Sequence, residues 1–276
     1  MYLVLLLRSL TNAGPGINTQ LCVYSYNSRG FCKLKQDFCR LLVSQETAGN
    51  TVPILCNQEN FVLRGNSYKI NNALPGFHSI IKPAIKHSLD NGRPRNGMFM
   101  AIPDAFKNII DDVSPDFWRL QAAIVSCSDS KLLLINSYFP VDPRTNNFDN
   151  SELLETFQHI RSILSKNTFH NTLWFGDINT DFIRKSGHVD MVKDFIEEFS
   201  LTRSWENFNI DFTHYHEVNG TSFISTIDHF VWNSELSDKI THCGVIHHPS
   251  NLSDHSPIFC KIDVEKIQVE PVSEAA

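Results

Sequence analysis

"LWFGDINTDF", residues 173–182, opens as a strand and then breaks. Leu173-Trp174-Phe175 is an apolar run that belongs in a core, yet at Gly176 it gives way to Asp177, Ile178 and Asn179. A buried strand gains nothing from a terminal carboxylate and carboxamide. Taken alone, Gly-Asp-x-Asn is most often a turn in which Asp and Asn bond their own backbone. The pattern gains weight because it recurs. Apolar segments also end in Tyr26-Asn27, Cys56-Asn57-Gln58-Glu59, Ser137-Tyr138 and Leu252-Ser253-Asp254-His255, and Thr226-Ile227-Asp228-His229 sets an aspartate at a strand start. Gathered at one rim, such ends form a site for a hard cation through oxygen ligands, Mg²⁺ first and Mn²⁺ as its substitute.

The rest of the chain supplies a frame for those ends. Strands are expected at "LCVYSYN", "VPILCNQEN", "MFMAIP", "FWRLQAAIVS", "KLLLINSYFP", "TSFIST", "IDHFVWN", "CGVIHH" and "HSPIFCKID". "FCKLKQDFCRLLVSQE" carries Phe31, Leu34, Phe38, Leu41 and Leu42 at helical spacing. "SELLETFQHIRSILSK", with Ser151 as N-cap, and "HVDMVKDFIEEFS" are further amphipathic helices. Residues 64–97, rich in Gly, Pro, Asn and basic side chains, read mostly as loop. Many strands are hairpin-spaced and do not alternate with helices, which favours a mixed or antiparallel two-sheet α/β arrangement over a doubly wound parallel sheet. One domain is expected over 21–267, with an N-terminal extension at 1–20 and a tail at 268–276.

With 42% hydrophobic residues in 276, the chain can bury a large core and is not of disordered composition. The net charge of −6 gives no global basic field, so nucleic-acid binding requires local clustering of cations. Lys82, Lys86, Arg93 and Arg95 share one loop-rich stretch that could contact backbone phosphates, with a solvated loop as the alternative reading. Seven cysteines without CxxC or zinc-type spacing read as reduced thiols, which points to an intracellular protein, nuclear or cytoplasmic. The sequons at Asn219 and Asn251 are then incidental, and neither a membrane span nor a signal peptide is expected.

In their order, "YNSRG", "LCNQEN", "NSYFP", "GDIN", "TIDHF" and "LSDHSPI" resemble the motif set of the endonuclease/exonuclease/phosphatase superfamily, which includes deoxyribonuclease I and the apurinic/apyrimidinic endonucleases. The resemblance covers about residues 21–264. Within it, "YFPVDPR", "GDINTDF" and "FTH…STIDHF…LSDHSPI" are most similar to the endonuclease domains of non-LTR (LINE-type) retrotransposons, which sit beside a reverse transcriptase.

The resemblance implies a four-layer α/β sandwich, two mixed and mainly antiparallel β-sheets face to face with helices outside. It implies a Mg²⁺-dependent phosphodiester hydrolase, an endonuclease that nicks DNA to leave 3′-hydroxyl and 5′-phosphate ends. The implied metal residues are Glu59, Asp254 and Asn27. Asp177 would orient or deprotonate the attacking water, Asn179 would hold phosphate or water, Asp228 would fix His255, and Tyr138 would donate to the phosphate. Thr213, Arg93, Arg95 and Lys82 are candidate phosphate or DNA contacts. Alternatives within the fold are a phosphatase or phosphodiesterase acting on inositol phosphates, lipids or RNA; outside catalysis, the alternative is an inactive binding module. Two departures stand out: Asn60 follows the metal glutamate where Thr or Ser is common, and Asn96-Gly97-Met98 replaces a glycine-rich strand start.

Overall fold

The computed structural model describes residues 19–45, 51–86, 92–128, 130–142 and 149–264. The expected extension and tail lie outside the described residues, except that Thr19 and Gln20 open the first strand.

Strand alternation builds two six-stranded sheets. The first comprises β1 (Thr19–Asn27), β2 (Thr51–Gln58), β3 (Phe77–Lys82), β4 (Met98–Pro103), β13 (Ile240–Val245) and β14 (Ile258–Val264), in the order β13-β14-β1-β2-β4-β3. The second comprises β5 (Ile110–Asp112), β6 (Leu120–Ser126), β7 (Lys131–Tyr138), β8 (Asn171–Asp177), β9 (Thr202–Arg203) and β12 (Asp228–Trp232), in the order β5-β6-β7-β8-β12-β9. Each sheet has one parallel pair at its centre, β1 with β2 and β7 with β8, and its other pairs are antiparallel. A separate hairpin, β10 (His214–Val218) with β11 (Thr221–Ser225), stands apart from both.

The period of two sorts side chains into layers. Leu21 and Val23 of β1, Ile54 of β2, Leu132 and Leu134 of β7, Leu173 and Phe175 of β8, and Phe230 of β12 fill the space between the sheets. Their neighbours point outward. Cys22, Tyr24 and Leu55 meet helix α1 (Lys33–Ser44) and helix α2 (Tyr68–Ala73). Leu133, Ile135, Trp174 and Val231 meet helix α3 (Ser151–Lys166) and helix α4 (Gly187–Glu198). The result is the four-layer sandwich, helices outside and two sheets within, completed by the short helices α5 (Ser204–Asn207) and α6 (Ser234–Ser237).

Several expectations are corrected. Residues 64–97, expected to be mostly loop, also hold two short elements the sequence reading lacked, α2 and edge strand β3. Leu34 leaves the buried face of α1, with 62% of its surface exposed, and Cys39 and Val43 join Phe38 and Leu42 there. At α3 the N-cap position is Asn150, and Ser151 is already helical, its backbone N–H donating to Asp149 Oδ1 at 2.9 Å.

Gly176 shows why the opening motif has its form. Its φ of +134° lies outside what L side chains adopt, and a Cβ there would sit 2.0 Å from the Ser137 carbonyl oxygen of the neighbouring parallel strand. Gly176→Ala is therefore expected to cost about 3 kcal/mol or more, measured as a lower urea midpoint at an unchanged slope.

Candidate active site

The two parallel pairs place their carboxyl ends at one rim. β1 ends at Asn27, aligned with Gln58, and β8 ends at Asp177, aligned with Tyr138 on one side and Asp228 on the other. Beneath them lies a polar layer buried between the sheets: Gln58 Nε2 donates to Ser25 Oγ at 3.0 Å and to Asn136 Oδ1, and Asn136 Nδ2 donates weakly to Gln121 Oε1 at 3.4 Å. The bonds between these carboxamides link strands of both sheets, while Gln58 Oε1 is buried without a hydrogen-bond partner.

At the rim, Asn27 ties the sheets together. Its Nδ2 donates to Glu59 Oε2 at 3.0 Å and, across the sandwich, to Asp177 Oδ2 at 2.8 Å. The other Asp177 oxygen accepts the Asn179 backbone N–H at 3.0 Å. Asn179 itself has φ +49°, and its Nδ2 donates to the Phe139 carbonyl at 2.8 Å. His255 contacts Asp228 Oδ2 through Nδ1 at 2.9 Å, while its Nε2 lies 3.8 Å from Asp177 Oδ2. Asp228 and Asp177 are buried, as is His255.

Electrostatics follow from that burial. Burial pushes the Asp177 carboxyl up to about 7; His255 and the Asn27 amide oppose the rise, and Asp228 reinforces it. Burial alone would lower His255, but Asp228 and Asp177 outweigh it and raise the ring to about 9. Tyr138 is pushed well above the ordinary phenol range, by burial first and then by the negative charge of Glu59 and Asp177. A charged imidazole between two aspartates, beside a phenol that keeps its proton, is a donor surface suited to an anionic ligand.

These side chains open into a cavity of about 340 Å³ lined by Arg29, Glu59, Tyr138, Asp177, Asn179 and His255, together with Arg93. A second cavity shares Glu59, Arg93 and Tyr138 with it and adds Arg95, Trp118 and Arg119. The structure thus brings Asn27, Glu59, Tyr138, Asp177, Asn179, Asp228 and His255 together, with Arg93 and Arg95 at the approach. Two candidates behave otherwise. Lys82 is engaged internally, its ammonium donating to the Pro115 carbonyl at 2.5 Å and the Phe117 carbonyl at 2.8 Å, so it is not presented as a DNA contact. Thr213 is buried and its hydroxyl oxygen accepts the backbone N–H groups of Ile227 and Asp228, both at 3.0 Å; it positions Asp228 instead of facing a ligand.

Asp254 pairs with the guanidinium of Arg29, a residue the sequence reading passed over inside "YNSRG". His214 was likewise passed over; its Nε2 is 3.7 Å from Asp254. For a hard divalent ion the Glu59 carboxylate, which faces the cavity, is the fitting oxygen donor; Asn27, expected as a second metal residue, turns Nδ2 to Glu59 and Oδ1 to the Arg29 N–H, so it orients that carboxylate and offers no oxygen of its own. Among the described residues, the three-residue groups close enough to share an ion are His214–Asp254–His255 and Asp177–Asp228–His255, and Glu59 belongs to neither.

Below the site, His229 Nε2 donates to the Thr180 carbonyl at 2.8 Å, and Phe182 and Trp205 meet the ring edge-on. Burial lowers its pKa from 6.5 to about 4. In that window the unfolded chain takes up a proton that the folded ring refuses. Stability from His229 is therefore complete above about pH 6.5 and falls as pH drops toward 4, by about 3 kcal/mol in all. A His229→Gln variant, which keeps an N–H donor, should lose correspondingly less stability over the same range in thermal melts.

No protein-family sequence model and no curated protein matches the chain in sequence. Solved structures do match in shape. The endonuclease domain of TRAS1, a telomere-specific non-LTR retrotransposon, aligns at TM-score 0.64 and 15% identity, over 89% of this chain and 100% of that one. The AP endonuclease LMAP from Leishmania major aligns at 0.67 and 13%, over 93% and 95%. The 3′-5′ exonuclease NExo from Neisseria meningitidis aligns at 0.64 and 15%, over 88% and 100%. The sandwich, its strand order and these likenesses agree: the chain has the fold of the endonuclease/exonuclease/phosphatase superfamily.

Proposed function

We propose that the chain is a divalent-metal-dependent phosphodiesterase and, specifically, an endonuclease that nicks DNA in the manner of a retrotransposon-type nuclease. The observation that carries this reading is Asp177: a buried carboxylate bonded to Asn27, facing His255 at 3.8 Å, at the wall of a cavity that also exposes Glu59 and Tyr138. Phosphodiester hydrolysis needs a base for a water, fixed donors around the phosphate and a counter-charge for developing oxyanions.

Each requirement has a residue. Asp177 takes a proton from the attacking water, a task that suits a carboxyl raised toward neutrality. His255, held in one orientation by Asp228, keeps its positive edge toward a phosphate oxygen. Tyr138 offers its hydroxyl proton, and Asn179 holds the water or phosphate against Asp177. Glu59, oriented by Asn27, would hold Mg²⁺ or Mn²⁺, which supplies Lewis-acid neutralisation of phosphate charge when bound. The water oxygen bonds to phosphorus as its proton passes to Asp177, the P–O3′ bond breaks, and the departing 3′ oxyanion takes a proton from solvent to become the 3′ hydroxyl, with the phosphate retained on the 5′ end. Arg93 and Arg95 border the cavities where backbone phosphates would approach.

End analysis tests this directly. Nicks made in duplex DNA with Mg²⁺ should be extended by a DNA polymerase without prior phosphatase treatment, and chelator should abolish nicking. Ends that need phosphatase before extension would contradict the proposed cleavage. Phosphate release from small phosphoesters with intact DNA would transfer the assignment to a phosphatase of the same fold. Metal-independent DNA retention without turnover would identify a binding module.

A further inference from the structure

The cavity beside the catalytic one, about 430 Å³, has a buried and half-satisfied guanidinium in its wall. The Arg119 side chain is only 8% exposed, and its guanidinium carbon stands 3.8 Å from the centre of the Trp118 ring and 5.5 Å from that of Tyr138. Stacking of this kind fixes the plane of the group and leaves its edges to donate. Nη1 donates to the Tyr138 carbonyl at 3.3 Å, and Nη2 donates to Glu152 Oε2. Nε, on the same edge as Nη2, is buried without a hydrogen-bond partner. Such an edge suits two oxygens of one anion, and Glu152 meets half of it.

The two partners differ in freedom. Glu152 lies in the first turn of α3 and is 59% exposed, so its carboxylate returns to water easily. Arg119 is enclosed, and its backbone carbonyl accepts the Tyr138 N–H at 2.9 Å. Arg93, whose guanidinium carbon is 4.6 Å from the centre of the Phe61 ring, and Arg95 line the same cavity. Glu59, Arg93 and Tyr138 also line the catalytic cavity, which makes the two spaces neighbours.

Resting on the phosphodiesterase reading above, we infer that this second cavity is a phosphate subsite anchored by Arg119. A phosphate next to the scissile one on the same strand displaces Glu152 and takes both Nε and Nη2. Glu152 is the stand-in that pairs the buried charge until substrate arrives, so Arg119 is never left uncompensated. Arg93 and Arg95 add the charge that draws the strand in.

Binding of a fluorescein-labelled DNA duplex in excess chelator, followed by anisotropy over a salt series, tests this apart from turnover. Arg119→Met, which keeps an apolar stem between the rings, should weaken binding about 10- to 100-fold and lower the salt slope by about one. Glu152→Gln should tighten binding by about 2- to 5-fold, and that gain should vanish in the Arg119→Met background. A gain that persists in full without Arg119 would mark a general charge effect and overturn the subsite. An unchanged salt slope in a folded Arg119→Met variant would overturn it too. If melts show that Arg119→Met does not fold, Arg119→Lys replaces it: the slope should stay and affinity should fall, whereas parental affinity would overturn the inference. Nicking with Mg²⁺ is scored on the same proteins. A parent that nicks without these binding effects overturns the subsite alone; one that shows them without nicking overturns the phosphodiesterase reading alone.

Discussion

Asp177→Asn is expected to reduce DNA nicking by about 10²- to 10⁴-fold, the range over which a positioned base contributes. The exchange is nearly isosteric. Asp177 accepts from Asn27 Nδ2 on one oxygen and from the Asn179 N–H on the other, so the single oxygen of asparagine keeps one of these two bonds and loses one. What disappears is the group able to take a proton from water. Because burial opposes the charge on Asp177, removing it should offset the lost hydrogen bond and leave stability little changed. Rates on a plasmid substrate, with thermal melts of the same preparations, separate the two effects: low activity with an unaltered melt is the expected pair.

His255→Ala should lower both activity and stability. On the catalytic side it removes the positive edge offered to the phosphate, a loss of about 10²- to 10³-fold by analogy with other fixed donors. On the structural side it strands two buried carboxylates, Asp177 and Asp228, without the ring between them. Removing one partner of a buried charged group costs about 3–5 kcal/mol, because the uncompensated charge stays behind. Asp228→Asn added to His255→Ala should recover part of that stability and none of the activity. Urea unfolding of the two singles and the double gives the coupling, which should be clearly non-additive.

Much of the rim was legible because its physics is local. An apolar run that stops in Asp, Asn or Glu marks a strand end whichever sheet it joins, and Asn27, Glu59, Asp177 and His255 were found that way. Gly176 is local too, since the parallel neighbour leaves no room for a Cβ. What escaped depends on long-range partners. Edge strand β3 is only half-buried, and the Gly, Pro and Asn residues around it carry the signature of turns. Lys82 looked available because the carbonyls that bind it lie more than thirty residues away. Arg29 stood beside Asn27 in the quoted motif, but its partner Asp254 is 225 positions distant. Leu34 fits the helical period of α1, yet it falls on the flank of that face where no second layer covers it.

Conversion of supercoiled plasmid to open circle is the most direct test of the central claim, run for the parent and Asp177→Asn with Mg²⁺ and with excess chelator. The expected result is nicking by the parent with Mg²⁺, none in chelator, and loss of at least about 10²-fold in the variant. Equal nicking by the parent and a folded Asp177→Asn variant, or nicking that survives the chelator, would contradict it.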